Sequence, residues 1–131
     1  MAAALIGTAN LASACLTREF EDHVFLGERP DVSLPAGLMA LRVEVLDAAQ
    51  FEKRGYVDRA VVVVLESKAG LIAGQRLHLN AVIASSCSRW GKVDGPAYVI
   101  GKLVSGPSGP VFQAASYRYD QVISRLRGSV Q

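Results

Sequence analysis

The chain is poor in the side chains that carry most recognisable chemistry. Its 131 residues include two cysteines, two histidines and one tryptophan, and only 7% are aromatic. There is no Cys-x-x-Cys or His-x-x-x-His pair, so the close ligand pairs of a structural zinc site are missing. The glycines of Gly91–Gly95 lack the Lys-Ser/Thr ending of a phosphate-cradling loop. No apolar run reaches the ~18–20 residues needed to cross a bilayer as a helix. There is no internal repeat and no low-complexity segment. Fourteen basic against twelve acidic residues leave a net charge of +2, too little to imply a nucleic-acid partner by itself. A Cys–His nucleophile would need His23 or His78 beside a reactive thiol, but His78 falls on the outward face of an alternating strand. The acids Glu19, Glu21 and Asp22 read as a solvated face rather than an acid/base pair. These absences exclude no fold, but they leave no catalytic, metal or cofactor constellation, so a non-enzymatic protein is expected.

What the chain does have is β-patterning. His23-Val-Phe-Leu26 reads as a short strand, and Gly27–Gly37, with two prolines and two glycines, as loop. From Leu38 to Leu46 apolar and polar residues alternate, with Met39, Leu41, Val43 and Val45 on one face and Arg42 and Glu44 on the other. Asp47 and Gln50 resemble a capping box for one helical turn over Ala48–Arg54, ended by Gly55. Arg59–Glu66 holds four consecutive valines, whose β-branching favours a strand buried on both sides. Gln75–Ile83 alternates again: Leu77, Leu79, Ala81 and Ile83 in, Arg76, His78 and Asn80 out. Ala97–Val104 reads as a fourth strand, in which Gly101 marks a bulge or tight barrel bend. A short Gly/Pro turn leads to a fifth strand, Val111–Tyr117. Tyr119, Val122, Ile123 and Leu126 then share one face of a closing helix, ended by Gly128. Five strands and one helix point to a small closed or partly closed barrel, and the five-stranded OB-type barrel fits the count. The helix face is expected to cover the outside of the valine strand, Ala60–Leu65.

The ends and the cysteines bear on compartment. Residues 1–14 are uncharged, small and moderately apolar, and close with Ala-Ser-Ala before Cys15, the small-x-small pattern of a signal-peptidase site without a basic n-region. Ala12-Ser13-Ala14-Cys15 is also a loose lipobox. A leader over 1–14 and one domain over 15–131 follow, with an exported, periplasmic, cell-surface or secreted location. Two lone cysteines leave three chemistries open: one long-range disulfide, a lipid on Cys15 that anchors the chain to a membrane, or two thiols. Trp90, with Arg89 and Lys92 beside it, either caps a core or anchors a partner. Arg118, Arg125 and Arg127 concentrate positive charge in the last 14 residues and read as a solvated helix face.

One stretch brings a resemblance. Ser86-Cys87, a loop, then Tyr98-Val-Ile-Gly-Lys-Leu-Val-Ser-Gly106 resembles the cysteine-loop-strand segment of netrin-like modules, including the tissue inhibitors of metalloproteinases (TIMP-like proteins). Leu41-Arg-Val-Glu-Val-Leu46, the valine strand leading to Lys68-Ala-Gly70, and Tyr119-Asp-Gln121 with Arg125-Leu-Arg-Gly128 follow the module's order over residues 38–128. The resemblance implies an OB-like barrel and a bond from Cys15 to Cys87. Closing a loop of about 70 residues would stabilise by about 3–4 kcal/mol in the chain-entropy model. The inhibitors begin Cys-x-Cys, whereas here Leu16 and Thr17 follow Cys15 and no third cysteine exists.

The expectation is therefore a mainly β, five-stranded OB-like (netrin-like) barrel with a C-terminal helix, acting as an exported binding module without cofactor or metal. Its contact edge would join Cys15, Leu16 and Thr17 to Ser85, Ser86, Cys87, Ser88, Arg89, Trp90 and Lys92, facing a protein or small ligand. One alternative is an OB domain that binds oligosaccharide or oligonucleotide, for which Tyr98, Phe112 and Tyr117 are the candidate stacking aromatics. The other is a metalloproteinase-inhibitor-like protein, which the missing Cys-x-Cys start disfavours.

Overall fold

A computed structural model describes residues 21–47, 57–82, 88–91 and 94–127. The expected leader, Cys15, Leu16, Thr17, Ser85, Ser86, Cys87, Lys92 and the helical turn over Ala48–Arg54 lie outside the described residues. Among the described residues there are seven strands and two short helices: β1 (Asp22–Phe25), β2 (Met39–Asp47), β3 (Val57–Val64), β4 (Arg76–Val82), β5 (Ser88–Gly91), β6 (Pro96–Gly106), β7 (Gly109–Ala115), α1 (Tyr119–Val122) and α2 (Ser124–Arg127).

Five strands close into a barrel in the order β2-β3-β4-β7-β6, with β6 pairing back onto β2. All seams are antiparallel except β4–β7, which is parallel. The protein is thus mainly β, an OB-like five-stranded barrel followed by helix. The period-2 pattern selects the interior. Leu41 and Val43 of β2, Val62 and Val64 of β3, Leu77 and Leu79 of β4, Val99 of β6 and Phe112 of β7 are all buried in one cluster. Their volume fills the barrel, so it encloses a packed core rather than a lumen.

Among the described residues, those outside the wall join that cluster at its ends. At one end Val24 and Phe25 of β1 are fully buried in it, and β1 is held there by β5 in parallel. At the other, Leu71 enters from the β3–β4 connection. That connection turns on Ala69 (φ 50°), Gly70 and Gly74, with Ser67 Oγ accepting from the Ala73 N–H and Gln75 Oε1 from the Ile72 N–H.

Four expectations need correction. Ser88–Gly91 is a strand rather than loop, because β1 offers it a parallel partner. Gly101 is not a bulge: its register runs unbroken against Met39 and Ala114, and the irregularity lies at Val45–Asp47 of β2. Glycine is needed at 101 because a Cβ there would stand 2.0 Å from the Gln113 carbonyl oxygen. The closing helix is two four-residue turns broken at Ile123, which is extended (φ −117°, ψ 109°). Finally, it does not cover β3. Val122 and Ile123 bury against Leu26 and Ile100, with Ala40 and Tyr98 at the margin, on the outside of β6 and β2.

The reason for the last two lies in the 26–35 segment, which is stitched to the helices from far away in sequence. The Gly27 N–H donates to the Tyr119 hydroxyl at 2.8 Å, and the Asp31 N–H to the Val122 carbonyl at 3.0 Å. The Asp31 carboxylate accepts from the Ser124 N–H at 2.6 Å and from its hydroxyl at 2.9 Å, and Glu28 pairs with Arg125. Asp31 supplies the acceptor for the free N–H at the start of α2, as an N-cap would. The chain therefore restarts its helix at Ser124 rather than continuing through Ile123. Val61 and Val63, on the outward face of β3, stay half-buried.

Candidate binding surface

Since the interior is filled with apolar side chains, polar chemistry belongs to the outside of the wall. Alternation sends Arg59 of β3, Arg76, His78 and Asn80 of β4, Gln113 of β7 and Lys102 of β6 outward. Register then aligns four of them. Arg59 faces Asn80, Asn80 faces Gln113 and Gln113 faces Lys102, forming a row across four strands. At a strand spacing of about 4.8 Å the row spans on the order of 14 Å. Arg59, Gln113 and Lys102 are exposed and Asn80 is half-buried. The neighbouring row, Val61, His78, Val111 and Val104, is mostly apolar, and Arg76 lies opposite Val63 one step further.

No side chain of Arg59, Arg76, His78, Asn80, Lys102 or Gln113 has a hydrogen bond or ion pair among the described residues. Two guanidinium groups and an ammonium supply donors only, while the two amides donate and accept. Glu44, on β2 beside Val63, is the flanking acid. Such a surface can hydrogen-bond an extended ligand bearing oxyanions or hydroxyls. Among the described residues its one ring is the exposed imidazole of His78, in the neighbouring row.

The aromatic candidates lie elsewhere. Phe112 is fully buried in the core, so it cannot stack on a ligand. Tyr98 sits on the outside of β6 under the Arg29 guanidinium, 4.9 Å from the ring centroid, and Arg29 also bonds Glu66 at 3.3 Å. Tyr117 is half-buried beside α1, and burial pushes its pKa up.

Of the sequence-derived contact residues, Ser88, Arg89 and Trp90 are described, all on β5. Ser88 is nearly buried and Arg89 is exposed. Trp90 stacks on Phe25, centroids 5.4 Å apart at 26°, and packs against the barrel core, the capping role that sequence left open. The strand beside β5 is β1, which brings Asp22 opposite Ser88. Glu21, expected to be solvated, is 3.5 Å from His23 Nε2 and 4.0 Å from Arg89 Nε. His23 is mostly buried, edge-on to Tyr119 at 5.5 Å, with Nδ1 lacking a hydrogen-bond partner among the described residues.

Among the described residues no group of three or more potential metal ligands converges, and no helix is long and apolar enough to cross a membrane. Comparison with protein families, curated proteins and solved structures found no match. Sequence reading missed the polar row. The outward positions on β4 were legible from alternation, but their alignment with Gln113 and Lys102 depends on the parallel β4–β7 seam.

Proposed function

We propose that this chain is a non-enzymatic binding module on an OB-type barrel, and that it holds an acidic oligosaccharide across the outer faces of β3, β4, β7 and β6. The observation that carries the reading is the unpartnered row Arg59–Asn80–Gln113–Lys102. Cations at both ends and amides between them match a ligand that alternates charge with hydroxyl groups. The absence of any aromatic residue in this row, among the described residues, favours sugar over single-stranded nucleic acid, which is gripped largely by base stacking. The test is calorimetric titration with a uronic-acid oligosaccharide, a neutral cello-oligosaccharide and a short single-stranded DNA. The acidic sugar should bind best, weaken as salt rises, and lose at least about tenfold in affinity when Arg59 and Lys102 are both replaced by alanine. Equal binding of that double variant, or preference for DNA, would overturn the reading.

A second reading, contact with a protein partner through β5, is favoured by Arg89, exposed on that strand. It belongs with the netrin-like proposal for residues 38–128, with which the barrel is compatible. The proposed Cys15–Cys87 bond fits this arrangement. Cys87 directly precedes Ser88, which pairs with Asp22, and the seven-residue step from Cys15 to Asp22 can span up to about 25 Å. Recovery of both cysteines as free thiols, or a lipid on Cys15, from a protein prepared under oxidising conditions would refute the bond. An exported location is part of the same proposal. Without a Cys-x-Cys start, a chain trimmed to begin at Cys15 is expected to leave metalloproteinases uninhibited at nanomolar concentration.

A further inference from the structure

The 32–35 segment and the Ser116–Val122 segment enclose a half-open cleft of about 380 Å³, a size common for small-molecule sites. It shares no residue with the polar row on the barrel wall. Val32, Leu34 and Val122 are among its apolar lining residues, and Asp22, Ser33 and Tyr117 among its polar ones. No lysine, arginine or histidine among the described residues lines it. The side chains of Asp22, Ser33 and Tyr117 have no ion pair and no hydrogen bond among the described residues.

Among the described residues, Arg118 and Arg125, close in sequence to the cleft, are engaged elsewhere. Arg118 forks onto Asp120 at 3.0 and 3.1 Å, and Arg125 is held by Glu28. Adjacent to Asp22 on β1, His23 has Glu21 beside its Nε2. Gln121 also lines the cleft, but its side-chain oxygen already accepts from the Arg118 N–H. Asp22 is half-buried and its carboxylate has no countercharge among the described residues, so an organic cation seated in the cleft would supply it. The Tyr117 phenol stays protonated, because burial raises its pKa, and can both accept and donate.

We propose that this cleft binds a small organic ammonium ion, an amine with a compact apolar body, with Asp22 as its counter-ion and Tyr117 and Ser33 as hydrogen-bonding partners. The apolar body lies against Leu34 and Val122. A hard metal ion is a poor match, since it would find one carboxylate and few oxygens where calcium takes six to eight. A neutral polyol would use the hydroxyls and leave Asp22 without a countercharge.

Three ligands of one shape and different charge test this: 2-phenylethylamine, 2-phenylethanol and phenylacetate, each titrated into the full chain while amide proton–nitrogen NMR correlations are followed. The amine should give saturable shifts confined to amides of 31–35 and 116–122. The alcohol should bind at least about tenfold more weakly. Asp22→Asn, which keeps the shape and breaks no contact of the fold, should weaken the amine by at least about tenfold, and Tyr117→Phe by roughly three- to tenfold. The same spectra report whether each variant is folded. Phenylacetate shifting the same amides as strongly, Asp22→Asn titrating like the parent, or shifts that do not saturate would each overturn the proposal.

Discussion

At Gly101 a single methyl group decides whether two strands can meet. A Cβ there would stand 2.0 Å from the Gln113 carbonyl oxygen and 2.9 Å from the Ala114 Cα, both main-chain atoms that cannot swing away. Gly101→Ala should therefore cost more than about 2 kcal/mol, at the severe end of overpacking, measured as a fall in urea midpoint. Asp31 makes a different residue-scale prediction. Its carboxyl is held below the usual value by the Ser124 N–H first and the Ser124 hydroxyl second. A depressed folded pKa means that the contribution is fully present above the unfolded value near 3.8 and is lost as pH falls through the lower folded value. Asp31→Asn should thus be less stable than the parent at pH 7, with the gap narrowing below about pH 4. Urea unfolding at both pH values checks the sign. Gly101 was legible in the sequence as an exception inside an apolar strand. Asp31 was not, since its partner lies 93 positions away.

At the scale of elements, alternation carried nearly everything that sequence could offer. All five barrel strands have a period-2 pattern or a β-branched run, which is what a half-buried pleated surface demands. On β3 the distinction between faces is sharp: Val62 is fully buried and Val61 half-exposed. Val62→Thr, which buries a hydroxyl, should cost about 1–3 kcal/mol, whereas Val61→Thr should stay within about 0.5 kcal/mol. Denaturant curves of the pair test the assignment of sides. β5 was illegible because four residues containing Trp90 and Gly91 have too little pattern to stand against a loop. The break at Ile123 was hidden because Tyr119, Val122, Ile123 and Leu126 keep helical spacing across it. Ile123→Ala should cost about 2–4 kcal/mol despite lying between helices, because its side chain is buried against Leu26 and Ile100. Arg127→Ala, on the exposed last turn, should cost less than about 0.5 kcal/mol.

For the whole molecule, strand order is what makes a surface out of separate strands. The row Arg59–Asn80–Gln113–Lys102 draws one outward polar side chain from each of β3, β4, β7 and β6, and it exists because β7 lies between β4 and β6. The sequence showed the barrel by strand count but not which outward residues become neighbours, since register across a parallel seam leaves no local trace. The last strand has a consequence for synthesis. β7 lies between β4 and β6, and until it arrives both of them have an unpaired edge. On a ribosome the earlier strands therefore emerge with two exposed edges, each a template for wrong pairing with another nascent chain. A chain stopped after Gly106 should show no cooperative thermal unfolding by circular dichroism and should sediment as aggregate. Folding then has to wait until β7 has emerged, and a holding chaperone is of most use in the interval between the appearance of Val82 and that of Ala115.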